Sequence, residues 1–128
     1  MAYLETSHPV HHTFTTAKAW RSAVEEASDA IVAAFPESSF RSAEVTGPQG
    51  VGKSETNDLR DAWSAVGDSA TSGVFAVMQD LGQPTANDAR LDFTNYGEFV
   101  VTGWVKGSNK ELVDGLAGRL GTIFALHD

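Results

Sequence analysis

A glycine-rich segment carries the sharpest chemical pattern in the chain. Residues 47–54 read Gly-Pro-Gln-Gly-Val-Gly-Lys-Ser. At this spacing, backbone amides lined by glycine can wrap a phosphate, the lysine can reach the outer phosphates of a nucleotide, and the serine hydroxyl can bind Mg²⁺. The pattern therefore predicts four cofactor-binding candidates: Gly47, Gly52, Lys53 and Ser54.

This segment resembles, residue for residue, the Walker A motif of the P-loop NTPases. The resemblance implies that Lys53 binds phosphate and that Ser54 and Asp80 hold magnesium. The flanking sequence disagrees, because the strand of a P-loop is buried on both faces and reads as continuous apolar sequence. The candidate strand Phe40–Thr46 instead contains arginine, serine and glutamate.

The residues that follow the segment also weigh against a phosphate site. Glu55 and Asp58 would place negative charge at the start of the next helix, where an anion would have to bind. Parallel strands need crossover connections of a dozen or more residues, and only about ten separate successive strand signals after Asp80. We therefore rank a P-loop-like nucleotide-binding protein below a surface loop that matches the pattern by chance.

Other chemical groups lack the partners that a site needs. His8, His11 and His12 could ligate a metal, but no nearby carboxylate or predicted element positions them. No Gly-x-Ser-x-Gly elbow marks a serine nucleophile, and the chain has no cysteine. The sequence thus predicts no catalytic residue, no metal site and no cofactor, apart from the nucleotide alternative.

The composition favours protein partners over nucleic acid or membrane. The 128 residues include 9 Lys and Arg against 17 Asp and Glu, which gives a formal charge of −8. Such an acidic surface repels phosphate backbones and suits a basic partner or an assembly. The longest purely apolar run, Ala30–Phe35, is far shorter than the roughly 20 residues that span a bilayer. No export signal follows Met1, so we expect synthesis in the cytoplasm.

Apolar periodicity predicts the elements of the first half of the chain. Residues 1–15 read as an extended, polar N-terminal arm. Apolar positions at three- and four-residue steps predict a helix over Ala17–Phe35, with Thr16 as its N-cap. Phe40–Thr46 reads as a weak edge strand. A short helix ending at Val66 should follow, with a cap at one of two residues, Asn57 or Asp58.

The second half predicts three strands and a final helix. Val74–Met78 reads as an inner strand, and Arg90–Thr94 and Phe99–Val105 form a hairpin. Residues 108–111 match a capping box in which Ser108 is the N-cap. The helix that starts there has an apolar stripe formed by Leu112, Leu116, Leu120, Ile123 and Phe124. Its glycines at 115 and 118 predict close packing on the sheet, since glycine otherwise weakens a helix.

These elements predict one α+β domain over residues 1–128. Its architecture should be an antiparallel sheet with two long amphipathic helices packed on one face.

The final third of the chain resembles the tail-completion or tail-terminator proteins of tailed bacteriophages, small α+β subunits that form a ring where tail meets head. The similarity lies in Arg90–Leu126 and is carried by the strand EFVVTGWVKG and the capped helix SNKELVDGLAGRLGTIFAL. It implies a structural subunit of a virion.

Three function hypotheses follow. The leading one is a non-enzymatic assembly subunit, acting as an oligomer in a phage tail or neck, that associates through sheet edges while the loop 47–54 reaches a neighbour. The second is a nucleotide-binding protein that uses the same loop. The third is an acidic antitoxin or immunity-type protein that blocks a basic partner by charge complementarity.

Overall fold

An antiparallel sheet forms one layer of the fold, and helices form the other. The computed structural model describes residues 5–48, 54–79 and 86–128. The strands are β1 (Thr6–Phe14), β2 (Phe40–Thr46), β3 (Ser54–Thr56), β4 (Ser72–Met78), β5 (Asp88–Asn95) and β6 (Phe99–Gly107). The helices are α1 (Ala17–Ala34), α2 (Leu59–Val66) and α3 (Lys110–His127), with a 3₁₀ turn at Gly67–Ser69. Within the described ranges these strands make one sheet in the order β1-β6-β5-β4-β2-β3.

The architecture confirms the predicted α+β class. Every neighbouring strand pair is antiparallel. α1 and α3 contact each other and lie on the same face of the sheet, α3 over β1 and β6 and α1 over β4, β5 and β6. α2 contacts β2 and β3, so a short third helix completes a layer that the prediction assigned to two long ones. No helix in the described ranges is both long and apolar enough to cross a membrane.

The first long helix follows the predicted pattern closely. The Thr16 hydroxyl caps α1 by accepting a hydrogen bond from the backbone amide of Ala19 at 3.1 Å. The helix ends before Pro36, which cannot continue it. Its buried stripe is Trp20, Ala23, Val24, Ala27, Ala30 and Ile31. The Trp20 indole NH donates to the backbone carbonyl of Val100 at 3.2 Å, so this buried polar group is satisfied.

A cluster of aromatic rings holds the helices on the sheet. Trp63 of α2 lies flat on Phe93 of β5, with ring centroids 4.9 Å apart and planes inclined by 5°. Trp20 of α1 meets Trp63 edge-on at 5.0 Å. All three rings are buried. Such pairs add about 0.5–1.5 kcal/mol each beyond the burial of their area, which makes this cluster the centre of the core.

The final helix departs from prediction in two details. Its N-cap is Asn109 rather than Ser108: the Asn109 side chain accepts from the amide of Leu112 at 3.1 Å, and asparagine caps as well as serine does. Its glycines do not pack closely, because a Cβ built at Gly115 or Gly118 would meet nothing within 4 Å. The prediction of tight packing there was wrong, and the two glycines lie on the exposed side of α3.

The predicted N-terminal arm is a docked edge strand. β1 pairs with the full length of β6, from Thr6 opposite Gly107 to Phe14 opposite Phe99. Burial alternates along β1 and ends at Phe14, which is fully in the core. The segment is extended as expected, but its pairing was missed because proline and histidines interrupt the apolar alternation that marks a strand.

Strand register divides the sheet into two faces of opposite character. The odd-numbered residues of β2, β4, β5 and β6 and the even-numbered residues of β1 point toward the helices. The opposite face consists of the even-numbered residues of β2, β4, β5 and β6 and the odd-numbered residues of β1. We call this second surface the open face. None of its residues is buried, so no described element covers it.

Candidate interaction surface

The residues predicted to bind a nucleotide are only partly placed. Gly47 is buried at the end of β2. Gly52, Lys53 and Asp80 lie outside the described residues. Ser54 opens β3, where it stands opposite Val45 in the antiparallel pairing with β2.

The backbone around this segment differs from a phosphate cradle. In the Walker A arrangement the loop leads straight into a helix whose N-terminal amides meet the phosphates. Here the chain turns back as β3 and only then enters α2 at Leu59. The Asp58 side chain caps α2 by accepting from the Asp61 amide at 3.1 Å. A carboxylate therefore already occupies the N-terminus of this helix.

The N-terminal histidines contact carboxylates that are distant in sequence. His8 Nε2 lies 2.5 Å from Asp114 Oδ1 of α3. His12 Nε2 lies 3.2 Å from Asp128 Oδ1, without hydrogen-bond geometry. Sequence reasoning missed these partners because they are more than 100 residues away. They tie β1 to α3, and the described residues contain no group of three or more metal-ligating side chains.

A similar contact joins the two long helices. His127 Nε2, at the end of α3, lies 2.5 Å from Glu26 Oε2 of α1.

Asp114 accepts hydrogen bonds from Lys110 and His8, and these lower its pKa. The contacts are structural links between elements.

A shallow cavity lies beside the first turns of α1. It has a volume of about 340 Å³ and is bounded by the two buried tryptophans and Arg21. Arg21 Nε donates to Glu25 at 2.9 Å, its Nη1 donates to Asp68 at 3.2 Å, and its guanidinium lies 5.4 Å from the Trp63 ring. The Arg21 guanidinium at this cavity is thus already paired with the protein's own groups.

The open face carries large apolar side chains. Phe40 of β2 and Met78 of β4 stand directly opposite each other in the register, with 58% and 37% of their surface exposed. On the other side of the face, Trp104 of β6 pairs with Pro9 of β1. The Lys106 ammonium lies 4.3 Å from the Trp104 ring centroid, a cation–π contact that leaves the ring partly exposed.

The charged side chains of the open face are largely matched among themselves. On β5, the Arg90 guanidinium donates through Nε and Nη2 to the two oxygens of Asp92, both at 2.9 Å. Lys106 stands opposite Asp88. Burial raises the pKa of Asp88, although Lys106 opposes that effect. The face thus combines exposed apolar groups with charges that already have partners.

The formal charge of the open face is small compared with that of the chain. Two cations stand against three carboxylates, which leaves −1 of the chain's −8. The charged residues of this face are Arg90, Lys106, Glu44, Asp88 and Asp92. Most of the net negative charge therefore lies elsewhere, and the three helices contribute only −1 of it, from five cations and six carboxylates.

Neither a protein-family model nor a curated protein sequence matches the chain.

Proposed function

We propose that the protein is a non-enzymatic assembly subunit that associates with further copies of itself through the open face. The observation that carries the proposal is the Phe40–Met78 pair, two large apolar side chains opposite each other on a sheet face that no described element covers. Exposed apolar groups of this kind, surrounded by polar ones, are typical of protein–protein interfaces.

The dimensions of the face suit association of two copies. Five of the strands are long enough to contribute to it. With strands about 4.8 Å apart and seven residues at about 3.3 Å each, the face covers roughly 500 Å² per copy. Two copies would bury roughly 1,000 Å² if both faces are treated as flat, and side chains that project from the sheet would add to this area. The flat value is near the lower limit of the area that a specific interface buries.

The small charge of the open face favours a second copy of the chain over a basic partner. A basic partner would be expected to meet a strongly acidic surface, because complementary potentials steer association. The open face carries a formal charge of only −1, a small part of the chain's −8. It can meet itself without strong repulsion.

The edges of the sheet are less suited to association than its face. β1 carries Pro9, which cannot donate to a new strand, and proline is one of the devices by which edge strands avoid pairing. At the other edge, β3 is only three residues long. The face therefore replaces the edges as the favoured contact surface in this proposal.

The bacteriophage resemblance gives the proposal a biological setting. Contacts between open faces close into dimers, so a ring at the tail or neck of a virion would be built from such dimers through a second, head-to-tail contact.

Native mass spectrometry tests the proposal. We expect dimers or larger species of the wild type, and at least a tenfold weaker association of the double variant Phe40→Ser/Met78→Ser, as for loss of an apolar contact of about 1.4 kcal/mol or more. Matched controls are Tyr96→Ser and Leu126→Ser, because both side chains are 76% exposed and lie off the open face. They should leave association unchanged. A wild type that stays monomeric at its highest soluble concentration would refute the proposal.

A further inference from the structure

From the order of charges along β5 we infer how two copies meet. The geometry points to a twofold axis that runs across the strands, between residues 90 and 92, so that Arg90 of each copy meets Asp92 of the other. This inference rests on the proposed function, which supplies the contact between open faces.

The two residues lie at the centre of the open face. β6 and β1 flank β5 on one side, and β4 and β2 flank it on the other. Arg90 and Asp92 are two positions apart, so both point outward, about 7 Å from each other along the strand. Their double hydrogen bond fixes a positive and a negative group in that order. Along β5, the centre of the face is therefore positive at residue 90 and negative at residue 92.

Two copies of a sheet can stack with aligned strands around either of two axes. An axis parallel to the strands lays β5 on β5 in the same order, so Arg90 faces Arg90 and Asp92 faces Asp92. An axis across the strands reverses the order, so each Arg90 faces an Asp92. Like charges at the centre of an interface cost several kcal/mol, whereas opposite charges fix its register. The charge order on β5 selects the axis across the strands.

The rest of the open face is compatible with this axis. The strand register sets Arg90 opposite Trp104 and Ala76, so the axis falls between equivalent positions on every strand. Each strand then stacks on itself in reverse. The other charged residues each meet an uncharged one: Glu44 meets Ser42, Asp88 meets Thr94 and Lys106 meets Val100. No like charges face each other.

The axis also distributes the large side chains favourably. The bulky Trp104 meets the smaller Thr102, and Met78 meets Ser72. Pairing of large with small residues allows two layers to interdigitate, as inner faces of stacked sheets do.

A charge-swapped variant tests the axis directly. In Arg90→Asp/Asp92→Arg the intrastrand pair is kept but its direction is reversed. This variant should form its own dimers. The swap leaves the mass of the chain unchanged, so the variant is labelled with ¹⁵N before it is unfolded, mixed with wild type and refolded. Arginine would face arginine in every mixed dimer. We expect mixed dimers to be about tenfold below their statistical share by native mass spectrometry, as for about 1.4 kcal/mol of repulsion.

The control swap uses a pair on the helices. Arg60 of α2 donates to Asp29 of α1, and both side chains are exposed away from the sheet. Wild type mixed with ¹⁵N-labelled Arg60→Asp/Asp29→Arg should give the statistical share of mixed dimers. This result would show that reversal of an exposed pair does not by itself disturb mixing.

Every other outcome of the main experiment overturns the inference. Enrichment of mixed dimers would indicate the axis parallel to the strands, and statistical mixing would show that Arg90 and Asp92 do not meet across the interface. In both cases the proposed function would stand, because dimers form. Absence of dimers in all samples would instead remove the proposed function itself.

Discussion

The side-chain carbonyl of Asn87 accepts a hydrogen bond from the backbone amide of Asn109, 3.0 Å away. The same side chain donates to Gln79 Oε1 at 2.6 Å. Asn87 is only 4% exposed, so these bonds satisfy a buried polar group. They join the end of β4, the approach to β5 and the cap of α3. A Cβ added at Gly107 would lie 1.9 Å from this carbonyl oxygen, so glycine is required beside it.

Replacement of Asn87 by alanine should destabilise the protein. The change leaves the Asn109 amide without its buried acceptor and removes one of two hydrogen bonds to Gln79 Oε1, which keeps the bond from the backbone amide of residue 87. A cost of about 1–3 kcal/mol is expected. Urea unfolding followed by circular dichroism measures it. Asn57→Ala is the control, since Asn57 is exposed. Equal stability of the two variants would contradict the proposed network.

The glycines of α3 provide a second test. Because nothing lies within 4 Å of a Cβ at Gly115, Gly118 or Gly121, each change to alanine should raise the free energy of unfolding by about 0.5–1 kcal/mol. Gly73→Ala should do the opposite, because its Cβ would lie 2.2 Å from the buried Phe93 ring. Thermal unfolding of the four single variants compares them. Loss of stability in the α3 variants would show that this surface is packed.

Local sequence patterns predicted helices and strands, but not the contacts between elements that are far apart in the sequence. The periodicity of α1 places its end within one residue, and the strand Phe40–Thr46 has the predicted bounds. It is not the edge strand that its polar residues predicted, because it pairs with both β3 and β4. The docking of β1 was missed because its helix-facing residues include His8, whose partner Asp114 is 106 residues away. Whether Phe40 is exposed depends on the β2–β4 register, and one residue of slip would reverse it. The open face could therefore not be predicted from sequence.

Asp88 should make stability fall as pH rises. Burial raises its pKa above the ordinary 3.8, so the folded state holds this proton more tightly than the unfolded state does. The resulting stabilisation is present at acid pH and is lost as pH rises through the raised value. Asp88→Asn should therefore gain stability over wild type at pH 7 and lose that advantage near the ordinary pKa. Urea unfolding of dilute samples at both pH values checks this. A variant less stable than wild type at pH 7 would show that attraction to Lys106 outweighs burial.

Asp114 should behave in the opposite way. The hydrogen bonds from Lys110 and then from His8 hold its pKa below the ordinary value. Its stabilisation is therefore present at neutral pH and is lost as pH falls through the lowered value. Asp114→Asn should be less stable than wild type at pH 7 and equal to it in strong acid. Thermal unfolding across this range measures the difference. A constant difference at every pH would contradict the role of the charge.

ATP with Mg²⁺ should give no binding heat with this protein. β3 and the residues before Leu59 separate the glycine-rich segment from α2, and Asp58 caps that helix with a carboxylate. The backbone amides at the start of α2 would have to stabilise the charge of the phosphate. They already face the Asp58 carboxylate, which is negative like the phosphate. Isothermal titration calorimetry of wild type and Lys53→Ala should give the same baseline. Heat in the wild type that disappears in Lys53→Ala would instead show that the segment binds phosphate without a helix N-terminus, and the nucleotide hypothesis would then lead.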